Sequence, residues 1–406
     1  MEAYVNTSAL PATAPSVPDR GDAFAFADEE IKQAATELWP HAVIEAGVHV
    51  PSVTAYVRRM RVDGVERYAK YSLLGVSLVS LLRGACGDWD QIRRDQAVYV
   101  RRQDSLTKRE TAQLRFLATL GRPRTCRALD SSRGVLFTEA VPGPSLAELL
   151  LQRPQDSAEL LAAPLRELHR LHIPAAQYGP GAPAPIRERS IASTFKRKFH
   201  GPRGQAFLDQ LGEQHCAPEE RDRLVELLRQ TVARLRRFRS PTLPSNHVVT
   251  FGDLKPEHVY FPGPGEQPVF IDPGLQPGRA CVDTAKLISR TALLLVAARP
   301  GDQAGRQITG GIDAVLHAQL ARLSSRVREA SLRELLVLWL MDTVNIVTSY
   351  LSAPTALPLP AQGEAVLQRA AVVCTLLDQL TDGLACGLET DAVLEHALTL
   401  IRAAAS

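Results

Sequence analysis

No two cysteines in this chain stand at C-x-x-C spacing: Cys86, Cys126, Cys216, Cys281, Cys374 and Cys386 are scattered through 406 residues. None shares a short ligand spacing with a histidine pair, which excludes a structural zinc site. With no secretory apolar region near Met1, the chain reads as cytoplasmic with free thiols. Long hydrophobic runs are missing too. The apolar stretch Ala292–Ala298 falls far short of the ~20 residues a membrane helix needs, so no membrane partner is expected. Charge of one sign is also lacking, since 47 lysines and arginines stand against 44 aspartates and glutamates, and a net +3 does not argue for nucleic acid.

What is present is an ordinary globular composition, 45% hydrophobic and 22% charged, with length enough for two packed lobes. Residues 1–22 are rich in Pro, Ala, Ser and Thr and read as a mobile tail. A helix is expected from Asp28 to Trp39. Thr54–Val62 and Val65–Ser72 alternate around Asp63-Gly64, which predicts a β-hairpin. Gly75–Ser105 reads as a helical insertion, Thr107–Leu120 as an amphipathic helix stopped by Gly121, and Val135–Val141 as a strand closed by Pro142-Gly143. Beyond Ser145 the pattern is helical, except for short strands at Val248–Thr250, His258–Phe261 and Val269–Ile271. Strands early and helices late predict an α+β chain, with a sheet-containing N-lobe at 23–141 and a mostly helical C-lobe at 142–406.

The chemistry concentrates in Val248–Gly274, where V-V-T-F-G-D-L-K-P-E-H-V-Y-F precedes V-F-I-D-P-G. Two aspartates each close a short apolar strand, and a turn is expected to bring those strands side by side. Phosphoryl transfer asks for a carboxylate to orient and deprotonate a hydroxyl, and for oxygen ligands to hold a metal on the phosphates. Asp253 suits the first task and Asp272 the second. Lys255 suits neutralising charge on the group in flight.

F-G-D-L-K-P-E-H followed by I-D-P-G resembles the catalytic and metal-binding loops of aminoglycoside phosphotransferases and their relatives, choline and homoserine kinases among them. The resemblance implies a two-lobed protein-kinase-like fold. It also implies that Lys70 binds the α and β phosphates of ATP or GTP and that Glu110 is its ion-pair partner. Backbone groups of Glu139 and Val141 would hold the base. Leu165–His172 (LRELHRLH) resembles the helix under the catalytic loop, and Asp283 the aspartate that follows the metal loop. The matches run in order over residues 50 to 290, and imply transfer to a hydroxyl of a sugar, cyclitol, aminoglycoside or nucleoside-like metabolite.

Three positions depart from the family pattern. Phe251 stands where the family has a bracing histidine. His258 stands where it has an asparagine ligand, which sets a nitrogen against a preference for oxygen and leaves the metal as Mg²⁺ or Mn²⁺. No G-x-G-x-x-G is present, only Gly47, Pro51 and Ser52. These departures keep a nucleotide-binding pseudokinase open as the alternative. A protein Ser/Thr kinase is disfavoured by I-D-P-G and by the lack of an A-P-E segment.

Other polar residues have plainer readings. Alone, Lys70 would be a solvated strand lysine, and Asp253 and Asp272 would be turn caps. The run F-K-R-K-F-H at Phe195–His200 reads as a solvated helix face with Phe195 and Phe199 as its apolar stripe, so a nucleic-acid partner is not expected. Asp342 and Asn345 interrupt the apolar helix Leu332–Tyr350 and are candidates for meeting the acceptor, with internal hydrogen bonding as the competing role.

Overall fold

Asp63 and Gly64 both take positive φ, 50° and 75°, and so close the hairpin that the sequence announces. The computed structural model describes residues 18–174, 178, 182–238, 247–263 and 265–406. Within it β1 (Ile44–Val50), β2 (Tyr56–Val62) and β3 (Val65–Tyr71) run antiparallel. With β4 (Ala128–Ser132) and β5 (Val135–Glu139) they form a five-stranded sheet of order β1-β2-β3-β5-β4. Lys70 is paired with Val57 on one side and Leu136 on the other. Its neighbours Ala69 and Tyr71 are buried, so alternation sends Lys70 off the opposite face.

The first helix begins earlier than its apolar period indicates. α1 spans Arg20–Leu38, because the Asp19 carboxylate accepts from Gly21 N–H and caps it. Of the stretch read as a mobile tail, 1–17 lies outside the described residues and 20–22 is helical. The 75–105 insertion holds α2 (Leu78–Leu82) and α3 (Trp89–Tyr99). α4 (Leu106–Leu120) stops at Gly121, whose φ of 70° suits a residue without Cβ.

The second lobe is helical: α5 (Leu146–Gln152), α6 (Ser157–His169), α7 (Ile191–Phe199), α8 (Gly201–Asp209), α9 (Pro218–Arg237), α10 (Cys281–Ala298), α11 (Asp302–Leu320), α12 (Ser325–Leu351), α13 (Ala361–Gln368), α14 (Ala370–Ala385) and α15 (Thr390–Ala404). α12 has the length and composition of a membrane-crossing helix, and 72% of its most apolar window is buried within the fold. Trp339 on it is core, at 1% exposure. α5 opens with a capping box, Ser145 and Glu148 each satisfying the other's backbone N–H.

One packing detail departs from a simple division by sequence. Ala353, Leu357 and Leu359, just after α12, are buried in the cluster that holds Ala23, Ala27, Tyr56 and Phe137 of the small lobe. Arg20 Nη1 also donates to Ala356 O at 3.0 Å. The chain therefore returns to the first lobe after leaving it.

The short strands pair differently from the expected arrangement. β6 (Val248–Thr250) pairs with β9 (Gln276–Gly278), and β7 (Val259–Tyr260) with β8 (Val269–Phe270). The strands before Asp253 and Asp272 are thus not direct partners. Gln276-Pro277-Gly278 carries no alternation that would mark it as a strand, yet Thr250 finds its backbone partner there.

Candidate active site

Catalytic-type loops need backbone turns that ordinary residues resist, and two occur here. Gly252 has φ 77°, and a Cβ on it would collide with Gly274 O. Only glycine lets these two loops approach. Asp272 has φ 55°, an uncommon conformation for a side-chain-bearing residue. It is held there by neighbours on both sides: Ile271 N–H donates to His258 O at 3.0 Å, and Gly274 N–H to Phe251 O at 2.9 Å.

The Asp253 turn is braced from below by Asp283, which is fully buried in the first turn of α10. Its carboxylate accepts from Phe251 N–H at 2.9 Å, Gly252 N–H at 2.7 Å and His172 Nε2 at 2.9 Å. Phe251 packs in the core against Phe270, the two rings tilted at 53°. The histidine absent from position 251 thus has a counterpart in His172, at the end of the Leu- and His-rich segment.

The structure brings the expected charged residues together. Lys70 Nζ lies 2.9 Å from Glu110 Oε1 and 3.0 Å from Asp272 Oδ1. Asp253 is 6% exposed and takes Lys255 on one oxygen at 3.0 Å and Lys286 on the other at 2.7 Å. Burial opposes the charge on Asp253, but Lys255 and Lys286 outweigh it and hold the carboxyl well below the usual carboxylate range. Burial likewise works against Asp272, and Lys70 reverses the balance and holds its carboxyl below the ordinary value. His258 stands between them, Nδ1 3.8 Å from Asp253 Oδ2 and Nε2 3.9 Å from Asp272 Oδ2. Burial, aided by Lys255, pushes its imidazole down to about 3, so it is neutral. Its buried Nδ1 has no hydrogen-bond partner among the described residues.

A magnesium ion bound with a nucleotide takes one or two carboxylates and fills its remaining positions with phosphate oxygens and water. Asp272 fits that requirement. His258, with its nitrogen donors, does not. Among the described residues no group of three or more His, Cys, Asp and Glu side chains forms a metal cage, so any such ion would depend on the phosphates.

The remaining expected residues lie around this centre. Glu139 N–H is taken by Arg127 O at 3.1 Å, and its carboxylate accepts from Arg127 N–H at 2.9 Å. Val141 packs against Leu114, Cys126 and Leu136, with Ile271 beside it. Asp342 and Asn345, the candidates for meeting the acceptor directly, are instead turned inward. Asp342 is bound by Arg290 Nε at 2.6 Å, and Asn345 Nδ2 donates to Ile191 O at 3.0 Å, tying α12 to α7. At 2% and 4% exposure such groups need partners inside the protein; the Asp342 carboxylate and Asn345 Nδ2 have them, while the buried Asn345 Oδ1 has none among the described residues. Phe195 and Phe199 are buried as the stripe reading requires, while Lys198 turns in to Asn345 O and Ser349 Oγ, each at 2.6 Å.

Two site residues are not among the expected ones: Lys286, three positions after Asp283 in V-D-T-A-K-L, and Arg189. Lys286 has a sequence signal, as one of two cations, with Arg290, in the apolar helix Cys281–Ala298. Arg189 has none, since it sits in a short 3₁₀ turn between α6 and α7.

Residues 92–310 match the family model described as the phosphotransferase enzyme family APH, a span of more than half the chain that takes in the Asp253 and Asp272 loops. The chain belongs to that family. This phosphotransferase is similar in fold to an ethanolamine kinase of Plasmodium vivax, at 13% identity, TM-score 0.47 and 83% coverage of each chain. It is similar also to an aminoglycoside-3'-phosphotransferase of type VIII, at 21% identity and TM-score 0.43, covering 78% of this chain and 99% of that one. A third is the choline kinase LicA of Streptococcus pneumoniae, at 14% identity and TM-score 0.41, with 86% and 98% covered. No curated protein matches the sequence of this phosphotransferase. It has a small antiparallel sheet lobe and a helical lobe, with the matched span running from α3 into α11.

Proposed function

We propose that this phosphotransferase carries the γ-phosphoryl group of ATP or GTP to a hydroxyl of a small sugar, cyclitol, aminoglycoside or nucleoside-like acceptor. The observation that carries the reading is Lys70, within 3.0 Å of both Glu110 and Asp272, so that sheet, α4 and metal loop meet at one ammonium. Nucleotide occupies the cleft between residues 23–141 and 142–406, with Glu139 O and Val141 N–H along the base. Lys70 grips the α and β phosphates. Asp253 accepts the hydrogen bond of the acceptor hydroxyl, orients its oxygen and takes its proton as the bond to phosphorus forms. Lys255 offsets charge on the transferring group. Asp272 would hold a divalent cation, which supplies charge neutralisation on the phosphates when bound. Six unpaired cysteines fit a cytoplasmic setting.

Incubating the purified protein with Mg²⁺ and ATP or GTP against a panel of hydroxylated metabolites and antibiotics tests the reading. Phosphate monoester formation on one acceptor class is the expected result. Nucleotide binding with no transfer to any acceptor favours the second reading, a pseudokinase, to which the nitrogen donor of His258 lends support.

The lysine partners also fix the pH response. Both carboxyls are held below their ordinary values, so each stays charged as pH falls through about 4. Their ion pairs contribute stability that is complete above about pH 4 and is lost only as pH drops toward the folded-state values. The kcat/KM profile is therefore expected to be flat between about pH 5 and 7. A half-maximal point inside that window, assigned to Asp253 by its loss in Asp253→Asn, would contradict this charge arrangement.

A further inference from the structure

Arg189 lies outside every stretch that matches the family's motifs, yet it touches all three parts of the centre. Its Nη2 donates to Glu110 Oε2 at 2.5 Å, and its Nη1 donates to Pro273 O, the carbonyl next to Asp272. Its own carbonyl accepts from Lys286 Nζ at 2.8 Å, and the same ammonium reaches Gly252 O at 2.9 Å and Asp253 Oδ1 at 2.7 Å. A Cβ on Gly274 would lie 2.9 Å from Arg189 Cδ, so the glycine after Asp272-Pro273 leaves the room that the guanidinium stem occupies.

The stretch carrying Arg189 is fastened to α4 at further points. Arg109 makes a two-pronged pair with Glu188, at 2.6 and 3.0 Å, and donates to Pro185 O at 2.9 Å. Gln113 Nε2 donates to Ala184 O at 2.9 Å, and Gln113 Oε1 accepts from Leu275 N–H at 2.7 Å. α4 presents Glu110 to Lys70, so whatever fixes α4 fixes the phosphate-binding lysine. Planar, forked donors serve such multi-point contacts, and a lysine cannot reproduce them.

We infer that Arg189 is a positioning residue that sets the Lys70–Glu110 pair and the Asp272 turn with its side chain, and steadies Lys286 with its carbonyl. The inference rests on the proposed function for its consequence; the side-chain contacts of Arg189 lie on the Glu110 and Pro273 side, and its carbonyl on the Lys286 side. Side-chain removal therefore acts on the nucleotide side, while loss of Lys286 acts on Asp253. Arg189→Ala is expected to raise KM and the dissociation constant for Mg²⁺-ATP by roughly ten- to a hundredfold, the range for a lost charge-assisted contact. Arg189→Lys recovers part of that loss. Gly274→Ala, which displaces the arginine without deleting it, moves KM in the same direction. Lys286→Met lowers kcat and leaves KM for ATP within roughly threefold of the unaltered enzyme.

The experiment combines steady-state kinetics, calorimetry with Mg²⁺-ATP, and hydrogen exchange of residues 106–120 in the full-length protein. Faster exchange in α4 together with weaker nucleotide binding in Arg189→Ala supports the inference. A folded Arg189→Ala with unaltered nucleotide affinity and α4 exchange overturns it. Should that variant not fold, Arg189→Lys and Gly274→Ala decide by the same two measurements, unaltered values again counting against it. If the unaltered protein transfers phosphate to no acceptor, the kinase reading fails, while calorimetry and exchange still decide the role of Arg189.

Discussion

Asp253→Asn is expected to lower kcat roughly a thousandfold while leaving nucleotide affinity within about threefold, because a positioned proton acceptor contributes on the order of 10²–10⁴ in rate and makes no contact with the nucleotide base. The asparagine matters as a choice of variant. Asp253 neutralises two ammonium groups, and the side chain of Lys286 is 4% exposed. Truncation to alanine would leave both cations facing each other in the interior, a break that costs about 3–5 kcal/mol. A low rate in Asp253→Ala would then mix lost chemistry with lost fold. The amide of asparagine also removes the charge, but it keeps the volume and one acceptor oxygen for an ammonium, so its rate loss is read beside the thermal unfolding of the same preparation. Turnover, calorimetry with Mg²⁺-ATP and thermal unfolding on the same preparation check it. Near-normal turnover in a folded Asp253→Asn would remove Asp253 from the chemistry.

Lys70→Ala is the second large effect: KM for ATP up at least tenfold and kcat down roughly a hundredfold, with only a modest fall in Tm. The asymmetry with its partner follows from the geometry. Without Lys70, Glu110 still has Arg189 at 2.5 Å and remains neutralised. Without Glu110, Lys70 keeps Asp272 at 3.0 Å, but Arg189, its side chain 13% exposed, loses the one carboxylate it pairs with among the described residues. Glu110→Ala is therefore expected to destabilise by about 3–5 kcal/mol, the range for a broken buried pair, well beyond Lys70→Ala. Parallel thermal melts of the two variants settle the order. Equal Tm values would show that Arg189 does not hold Glu110 in solution.

Local patterns account for what is legible in the sequence. Asp63-Gly64 between alternating strands, the α4 period ending at Gly121, and the loops around Asp253 and Asp272 all depend on neighbours a few positions away. What stays hidden depends on distant ones. Asp283 accepts from residues 31, 32 and 111 positions away. Asp342 finds Arg290 52 positions off. Both are polar residues in apolar helices, and periodicity says that such a residue needs a partner without saying which. β9 is hidden for the same reason, since its pairing with β6 comes from where the chain lies rather than from β propensity. The start of α1 departs from the apolar period because a single cap at Asp19 outweighs that period.

The return of residues 353–359 into the small-lobe core has a consequence for motion. A chain that crossed between lobes only near residues 140–145 could swing open about that point in any direction. Here Ala353, Leu357 and Leu359 fasten the lobes at a second place, and Arg20 clasps the same segment through Ala356 O. Parting that segment from the small lobe would expose Ala353, Leu357 and Leu359 and break the Arg20 contact, while parting α4 from Arg189 would break the Arg189–Glu110 pair.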